Sequence, residues 1–183
     1  MLNKIFAVVI MISLSPVLFT ISLVIIFEDG FPVFFKQKRA GENHSFFWIF
    51  KFRSMKKNTP NVATHLLTNP EQYLLKIGKL IRKTSLDELP NLINIVKGEM
   101  VFVGPRPALF NQDDLMKLRV MAGVHKLKPG ITGWAQINGR DEITIEAKVA
   151  LEKEYLKKKS FLFDWKIIIK TFTNVLFRKG VVH

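Results

Sequence analysis

Residues 5–27 read IFAVVIMISLSPVLFTISLVIIF, an apolar run of 23 residues closed by Lys4 on one side and by Glu28-Asp29 on the other. That length suffices to cross the hydrocarbon core of a bilayer. It is too long for the apolar segment of a cleaved signal peptide, and no small-residue cleavage site follows it. A plain transmembrane anchor is the simplest reading, but two features favour a bent helix. Pro16 lacks the N–H that would bond the carbonyl of Ile12, and its ring crowds that turn, so a bend is expected near Ser15-Pro16. Ser13 and Ser15 are placed to satisfy backbone groups that the bend frees. Charge points the same way: of the 28 Lys and Arg, only Lys4 precedes the run, and the next is Lys36. The positive-inside tendency therefore holds the body of the chain in the cytoplasm and gives no reason to export the N-terminus. A re-entrant helix that enters and leaves by one face meets both demands. Residues 1–30 would then be the membrane helix and 31–183 a domain on the cytoplasmic face.

The remainder fits one domain within the 183 residues. No cysteine is present, which excludes disulfides and thiolate metal sites. His44, His65, His125 and His183 show no zinc-ligand spacing. The net charge of +13 calls for an acidic partner: nucleic acid, an anionic membrane surface or a phosphate-bearing substrate. Nucleic-acid binders are usually hydrophilic, whereas this chain has a mean hydropathy of +0.16 and 16 Phe. No nucleic-acid-binding motif is recognisable either. Membrane lipids are the expected partner, and nucleic acid is not.

After the apolar run, Phe31 to Arg39 and Ser45 to Arg53 read as short extended segments around the turn Ala40-Gly41-Glu42-Asn43. Period-two alternation puts Phe46, Trp48, Phe50 and Phe52 on one face and Phe47, Ile49, Lys51 and Arg53 on the other. Lys51 and Arg53 would then point together, either gripping a phosphate or solvated at a strand end. Met55 to Pro70 reads as a polar loop. Tyr73 to Lys83 is an amphipathic helix with Leu74, Leu75, Ile77 and Ile81 along one stripe and Lys76, Lys79 and Lys83 opposite. It suits a membrane interface or a core equally. Phe161 to Phe177 is richer in Trp and Phe and favours the interface, with Lys166, Lys170 and Arg178 interspersed. Asn111 to Met121 and Ile145 to Lys159 read as solvent-exposed helices, with Lys148, Glu152, Lys153, Glu154 and Lys157 as a wetted face.

The chemistry concentrates in Arg82-Lys83-Thr84-Ser85-Leu86-Asp87-Glu88-Leu89-Pro90-Asn91. Pro90 belongs in a helix's first turn, so a helix is expected from about Ser85–Asp87 through Val96. Alone, Ser85-Leu86-Asp87-Glu88 is a capping box. Its neighbours give it another meaning. A helix N-terminus attracts phosphate, and Arg82 lies just upstream. Gly104-Pro105-Arg106-Pro107 follows the strand-like Val101-Phe102-Val103, and the two prolines leave Arg106 few conformations, which suits bidentate phosphate binding. The segment from Lys128-Pro129-Gly130 through Gly133-Trp134 to Gly139-Arg140 places three glycines between two cationic ends. Together these are carboxylates among arginines beside a membrane, as a phosphate-rich substrate with a lipid tail requires.

Across nearly its whole length the chain resembles the bacterial sugar transferase family, the monotopic polyprenyl-phosphate phosphoglycosyl transferases. The resemblance runs through Ser15-Pro16, Pro32 to Gln37, Lys51 to Met55, Arg82 to Pro90, Lys97 to Met100, Val103 to Pro107, Pro129 to Arg140, and Asp164 to Ile167 with Lys170-Thr171. It is similar to the small form of the family, which includes a transferase of diacetylated bacillosamine phosphate. The resemblance implies an α+β, mainly helical fold: a re-entrant membrane helix, interfacial amphipathic helices and a small cytoplasmic catalytic domain with short strands. It implies transfer of a sugar 1-phosphate from a UDP-sugar to undecaprenyl phosphate at the bacterial inner membrane, with UMP released, as the first membrane step of glycoconjugate assembly. Downstream glycosyltransferases would be partners. Asp87 would be the nucleophile of a ping-pong reaction and Glu88 its helper, with both near Mg²⁺. Lys51, Arg53, Arg82, Arg106 and Arg140 would neutralise phosphates, Arg140 on the nucleotide side. Departures from the family pattern (Asn91, Glu99, Val101-Phe102) spare the acid pair and the Pro-Arg-Pro turn. The competing reading is a non-catalytic basic membrane module that binds anionic lipid.

Overall fold

Leu14 is where the apolar run stops being one helix. The computed structural model describes residues 1–60, 69–139 and 143–176. In it, α1 (Leu2–Ser13) and α2 (Ser15–Asp29) meet at 62°. Pro16 occupies the first turn of α2, and the Ser15 hydroxyl donates to the Ile12 carbonyl at 2.7 Å. That is the acceptor Pro16 cannot serve, so the serine supplies the donor that the proline removed. Among the described residues no single helix is long and apolar enough to cross a membrane, but the bent pair together is. One side of α1 is not free for lipid. Ala7 is fully buried against Phe47, Ile49, Leu92 and Ile95, while Ile5, Phe6, Val9 and Ile12 are exposed.

The acidic end of α2 anchors two later segments of the chain. The Glu28 carboxylate accepts the amides of Lys76 and Ile77, and so fixes the start of α3 (Lys76–Lys83). The helix expected from Tyr73 therefore begins three residues later. Pro70 to Tyr73 form a 3₁₀ turn, and Leu74 pairs with Met55 in an isolated bridge. The apolar stripe of α3 lies in the core, with Leu75 and Ile81 buried beside Ile21, Ile25 and Phe52. Asp29 holds Arg53, which also reaches the carbonyls of Gly30 and Pro32.

The extended segments form an antiparallel hairpin, β1 (Phe34–Ala40) and β2 (Phe46–Phe52), in the register Phe35 to Lys51 and Gln37 to Ile49. Alternation holds along β2: Phe47 and Ile49 are buried while Phe46 and Trp48 are exposed. Phe52, at the base, is buried too, under α2 and α3. A second pair, β3 (Val101–Val103) and β4 (Gly130–Thr132), is parallel. The sequence suggested only sharp turns at Gly130.

The helix expected from Ser85 through Val96 is divided. Ser85 takes a left-handed conformation, Leu86–Asn91 form a 3₁₀ turn containing Pro90, and α4 covers Leu92–Lys97. No side-chain capping bond forms at Ser85. Then come α5 (Asp113–Met121), the short α6 (Trp134–Ile137), α7 (Ile145–Lys158) and α8 (Phe161–Leu176). The wetted-face reading of α5 and α7 is corrected at one place: Glu152 is 2% exposed and paired with Arg119. Glu154 accepts the Trp134 indole N–H at 2.9 Å. In α8, Ile167 is buried against Val103 and Tyr155, whereas Phe161, Leu162, Trp165, Ile169 and Phe172 face outward. The architecture is mainly helical with short strands, in keeping with the expected α+β class.

Candidate active site

Two asparagines on the acid-bearing turn and the helix after it tie both to β2. Asn91 Oδ1 accepts the Phe50 amide at 3.2 Å, and Asn94 Nδ2 donates to the Trp48 carbonyl at 2.7 Å. Both are buried. Between them they lock the turn against the face of β2 that carries Lys51. Lys51 Nζ then donates to Glu88 Oε1 at 2.7 Å, and both guanidinium ends of Arg106 stand 3.5 Å from the same oxygen. The lysine and the glutamate are mostly shielded, at 18% and 14% side-chain exposure, so the attraction is screened far less than on an open surface. Glu88 is thus turned into the site, not back towards Ser85 as a capping box requires. An open cleft of about 290 Å³ runs along Lys51, Glu88, Arg106, Arg39, Met100 and Gly130.

Asp87 differs from its neighbour. Burial raises its carboxyl pKa, Lys51 opposes that rise, Glu88 adds to it, and Arg82 opposes it. Lys51 and Arg82 therefore act on Asp87 by charge, while Lys51 makes its hydrogen bond to Glu88. A carboxylate made more basic by desolvation is a better nucleophile than an exposed one. Arg82 is placed by α3 and held by Ser54 Oγ at 2.8 Å. That position depends on Gly78, where a Cβ would come within 2.0 Å of the Ser54 carbonyl oxygen.

Of the expected site residues, Asp87, Glu88, Lys51, Arg82 and Arg106 converge here. Arg53 does not point with Lys51 despite the shared parity. The strand ends at Phe52, and the Arg53 guanidinium is taken up by Asp29 and the carbonyls after α2. It holds the Asp29 carboxyl below its usual range. Arg140 lies outside the described residues. Among the described residues no three His, Asp or Glu cluster as a metal cage. Asp87 and Glu88 supply hard oxygen donors in the small number that suits Mg²⁺ shared with substrate phosphates.

The sequence profile of the family described as bacterial sugar transferase matches residues 1–178. The chain belongs to the bacterial sugar transferase family. It is 44% identical over 165 residues to the "uncharacterized sugar transferase EpsL" of Bacillus subtilis (strain 168), covering 90% of this chain and 80% of that protein. It is 38% identical over 172 residues to a UDP-glucose:undecaprenyl-phosphate glucose-1-phosphate transferase of Escherichia coli (strain K12), covering 90% of this chain and 37% of the relative. An undecaprenyl-phosphate galactose phosphotransferase of Salmonella typhimurium (strain LT2) is 36% identical over 169 residues, with coverage of 84% and 35%. The chain thus spans little more than a third of the length of these last two sugar transferases.

Membership gives meaning to residues that sequence reading passed over. The turn of this sugar transferase that carries Arg106 is held by four consecutive carbonyls. Pro105 O accepts from the Gly130 amide at 2.9 Å, Arg106 O from Arg119 Nη2 at 2.9 Å, Pro107 O from Arg39 Nη1 at 3.0 Å, and Ala108 O from the Ala40 amide at 2.9 Å. Val103, just before the turn, has its carbonyl 3.1 Å from the Tyr155 hydroxyl, which also bonds Asp164 at 2.8 Å. None of Arg39, Arg119, Tyr155 or Glu152 sits in a local motif, so periodicity and spacing gave no signal for them.

Proposed function

We propose that this chain transfers a sugar 1-phosphate from a UDP-sugar to undecaprenyl phosphate, at the cytoplasmic face of the bacterial inner membrane. The observation that carries the reading is the unequal acid pair: a desolvated Asp87 on which Lys51 and Arg82 act by charge, next to a Glu88 that Lys51 and Arg106 hold. The names of the relatives support the same donor and acceptor classes.

In the first half-reaction an Asp87 oxygen attacks the sugar-bearing phosphorus. The P–O bond to the uridine-side phosphate breaks, UMP leaves with that oxygen, and an aspartyl phosphosugar remains. An oxygen of undecaprenyl phosphate then attacks the same phosphorus, the acyl-phosphate bond breaks, and Asp87 leaves as a free carboxylate with undecaprenyl-diphospho-sugar as product. Dividing the transfer in this way suits a carboxylate nucleophile, because phosphoryl exchange depends on positioning and charge neutralisation. Lys51 and Arg106 supply that neutralisation along the cleft, and Arg82 adds its charge beside Asp87. Mg²⁺, held by Asp87 and Glu88 with substrate oxygens, would add positive charge at the diphosphate. The exposed apolar faces of α1, α2 and α8 would lie in lipid, which brings the lipid-borne acceptor to the cleft.

The test is a half-reaction. The purified chain is incubated with Mg²⁺ and UDP-glucose, UDP-galactose or other UDP-sugars, without acceptor. UMP release with an adduct of sugar-phosphate mass on the wild type, absent in Asp87→Asn, is the expected result. No UMP from any donor, even with undecaprenyl phosphate supplied, would instead favour a non-catalytic module that binds anionic lipid.

A further inference from the structure

A turn with proline at positions 105 and 107 offers no N–H at either place, so its carbonyls carry much of its setting. The carbonyl of Arg106 is taken by Arg119, from the last turn of α5. Arg119 is in turn gripped by Glu152 of α7: Nε donates to Oε2 at 2.7 Å and Nη2 to Oε1 at 2.5 Å. With both contacts made, the second hydrogen of Nη2 is the one aimed at Arg106 O. The side chains of the pair are 8% and 2% exposed.

Burying an ion pair is a poor way to join two helices, since well-packed apolar residues of similar volume often do as well or better. An apolar pair here would, however, leave the Arg106 carbonyl without its donor. The use that accounts for this pair is therefore orientation. We propose that Glu152, acting through Arg119, is a positioning residue that aims the Arg106 guanidinium at the cleft. The order of contacts is Glu152 carboxylate, Arg119 guanidinium, Arg106 carbonyl, then Arg106 side chain towards Glu88. Neither Glu152 nor Arg119 lines that cleft, so the effect reaches the substrate only through Arg106.

The inference rests on the proposed role of Arg106 as a phosphate ligand, and a double-mutant cycle on the full chain in nanodiscs tests it. Glu152→Gln is made in the wild-type background and in Arg106→Ala. Two readouts are followed below the unfolding midpoint of every variant: transfer from UDP-glucose or UDP-galactose to undecaprenyl phosphate, and affinity for inorganic pyrophosphate. Glu152→Gln should lower both by about tenfold to a hundredfold when Arg106 is present, and by less than about twofold when it is absent. If Glu152→Gln does not fold, Arg119→Lys takes its place, since it keeps the buried charge but not the fork. Equal losses in the two backgrounds would assign the pair a merely structural role and overturn the proposal, as would an unchanged pyrophosphate affinity. A wild type that transfers sugar phosphate from none of a panel of UDP-sugars, yet shows the coupled loss of pyrophosphate affinity, would leave the relay standing and remove the proposed function.

Discussion

The Nζ of Lys51 lies 2.7 Å from Oε1 of Glu88, although 37 residues separate them in sequence. The contact divides labour within the acid pair. Glu88 accepts the hydrogen bond and lies within reach of Arg106, while Asp87 receives from Lys51 only the influence of its charge.

Replacing Lys51 by Met should therefore act on Asp87 as well as on Glu88. Lys51 is the largest influence lowering the Asp87 pKa against burial. Without it, Asp87 titrates higher still, and the acid limb of the transfer rate moves to higher pH. At the optimum, transfer should fall on the order of a hundredfold, the usual effect of removing one preorganised donor. A pH–rate profile of Lys51→Met set against wild type checks both. A limb that stays in place would show that Asp87 is not the group whose ionisation limits the rate.

Asp87→Asn should abolish transfer and yet stabilise the fold at neutral pH. Burial raises the folded pKa of Asp87 above its unfolded value, so the folded chain binds that proton more tightly. Stability linked to the group is fully present below the unfolded value, about 3.9, and is lost as pH rises through the folded one. At pH 7 the wild type bears the whole penalty of a desolvated carboxylate, which the neutral amide does not. Thermal unfolding midpoints should be higher for the variant at pH 7, and the difference should close as the pH falls towards 4. A lower midpoint at pH 7 would mean that Lys51 and Arg82 outweigh desolvation.

Much of this site was legible because its parts lie within short segments. The acid pair, the Pro-Arg-Pro turn and the alternation of β2 are all read over fewer than ten residues, and the bend at Ser15-Pro16 follows from one missing N–H. What escaped was set by packing between distant segments. Glu152 looks like any glutamate on a charged helix until α5 brings Arg119 beside it. Gly130 to Thr132 is too short and too rich in turn residues to show as a strand, and only its pairing with β3 makes it one. The capping box failed because Ser85 adopts a left-handed backbone and Lys51 offers Glu88 a stronger partner than a backbone amide.

Gly78→Ala should damage the site from a distance. The added methyl would press on the Ser54 carbonyl at 2.0 Å, a backbone atom that cannot rotate away. Overpacking of that kind costs about 1–3 kcal/mol. It also pushes α3 from Ser54, the residue that holds Arg82 near Asp87. Loss of activity should therefore exceed what the fraction unfolded accounts for, as measured by transfer rate and denaturant midpoint on one preparation. Lys79→Ala on the exposed side of the same helix is the control expected to change neither.

The bend at Leu14 can be tested apart from the chemistry, because the chain has no cysteine to confuse labelling. If α1 and α2 enter and leave by one face, a cysteine at Asn3 stays on the cytoplasmic side and resists an impermeant thiol reagent applied to intact cells. Ser15 and Pro16 are the residues that hold the bend: the proline removes a backbone donor and the serine replaces it with a hydroxyl. Substituting both by Leu restores an unbroken apolar helix of spanning length, opposed by the packing of Ala7, Ile10 and Met11 against the cluster of Phe47, Ile49, Leu92 and Ile95. In the doubly substituted chain Asn3→Cys should become reactive from outside in a measurable fraction of molecules. Labelling of the singly substituted Asn3→Cys chain would show a spanning helix and remove the re-entrant arrangement.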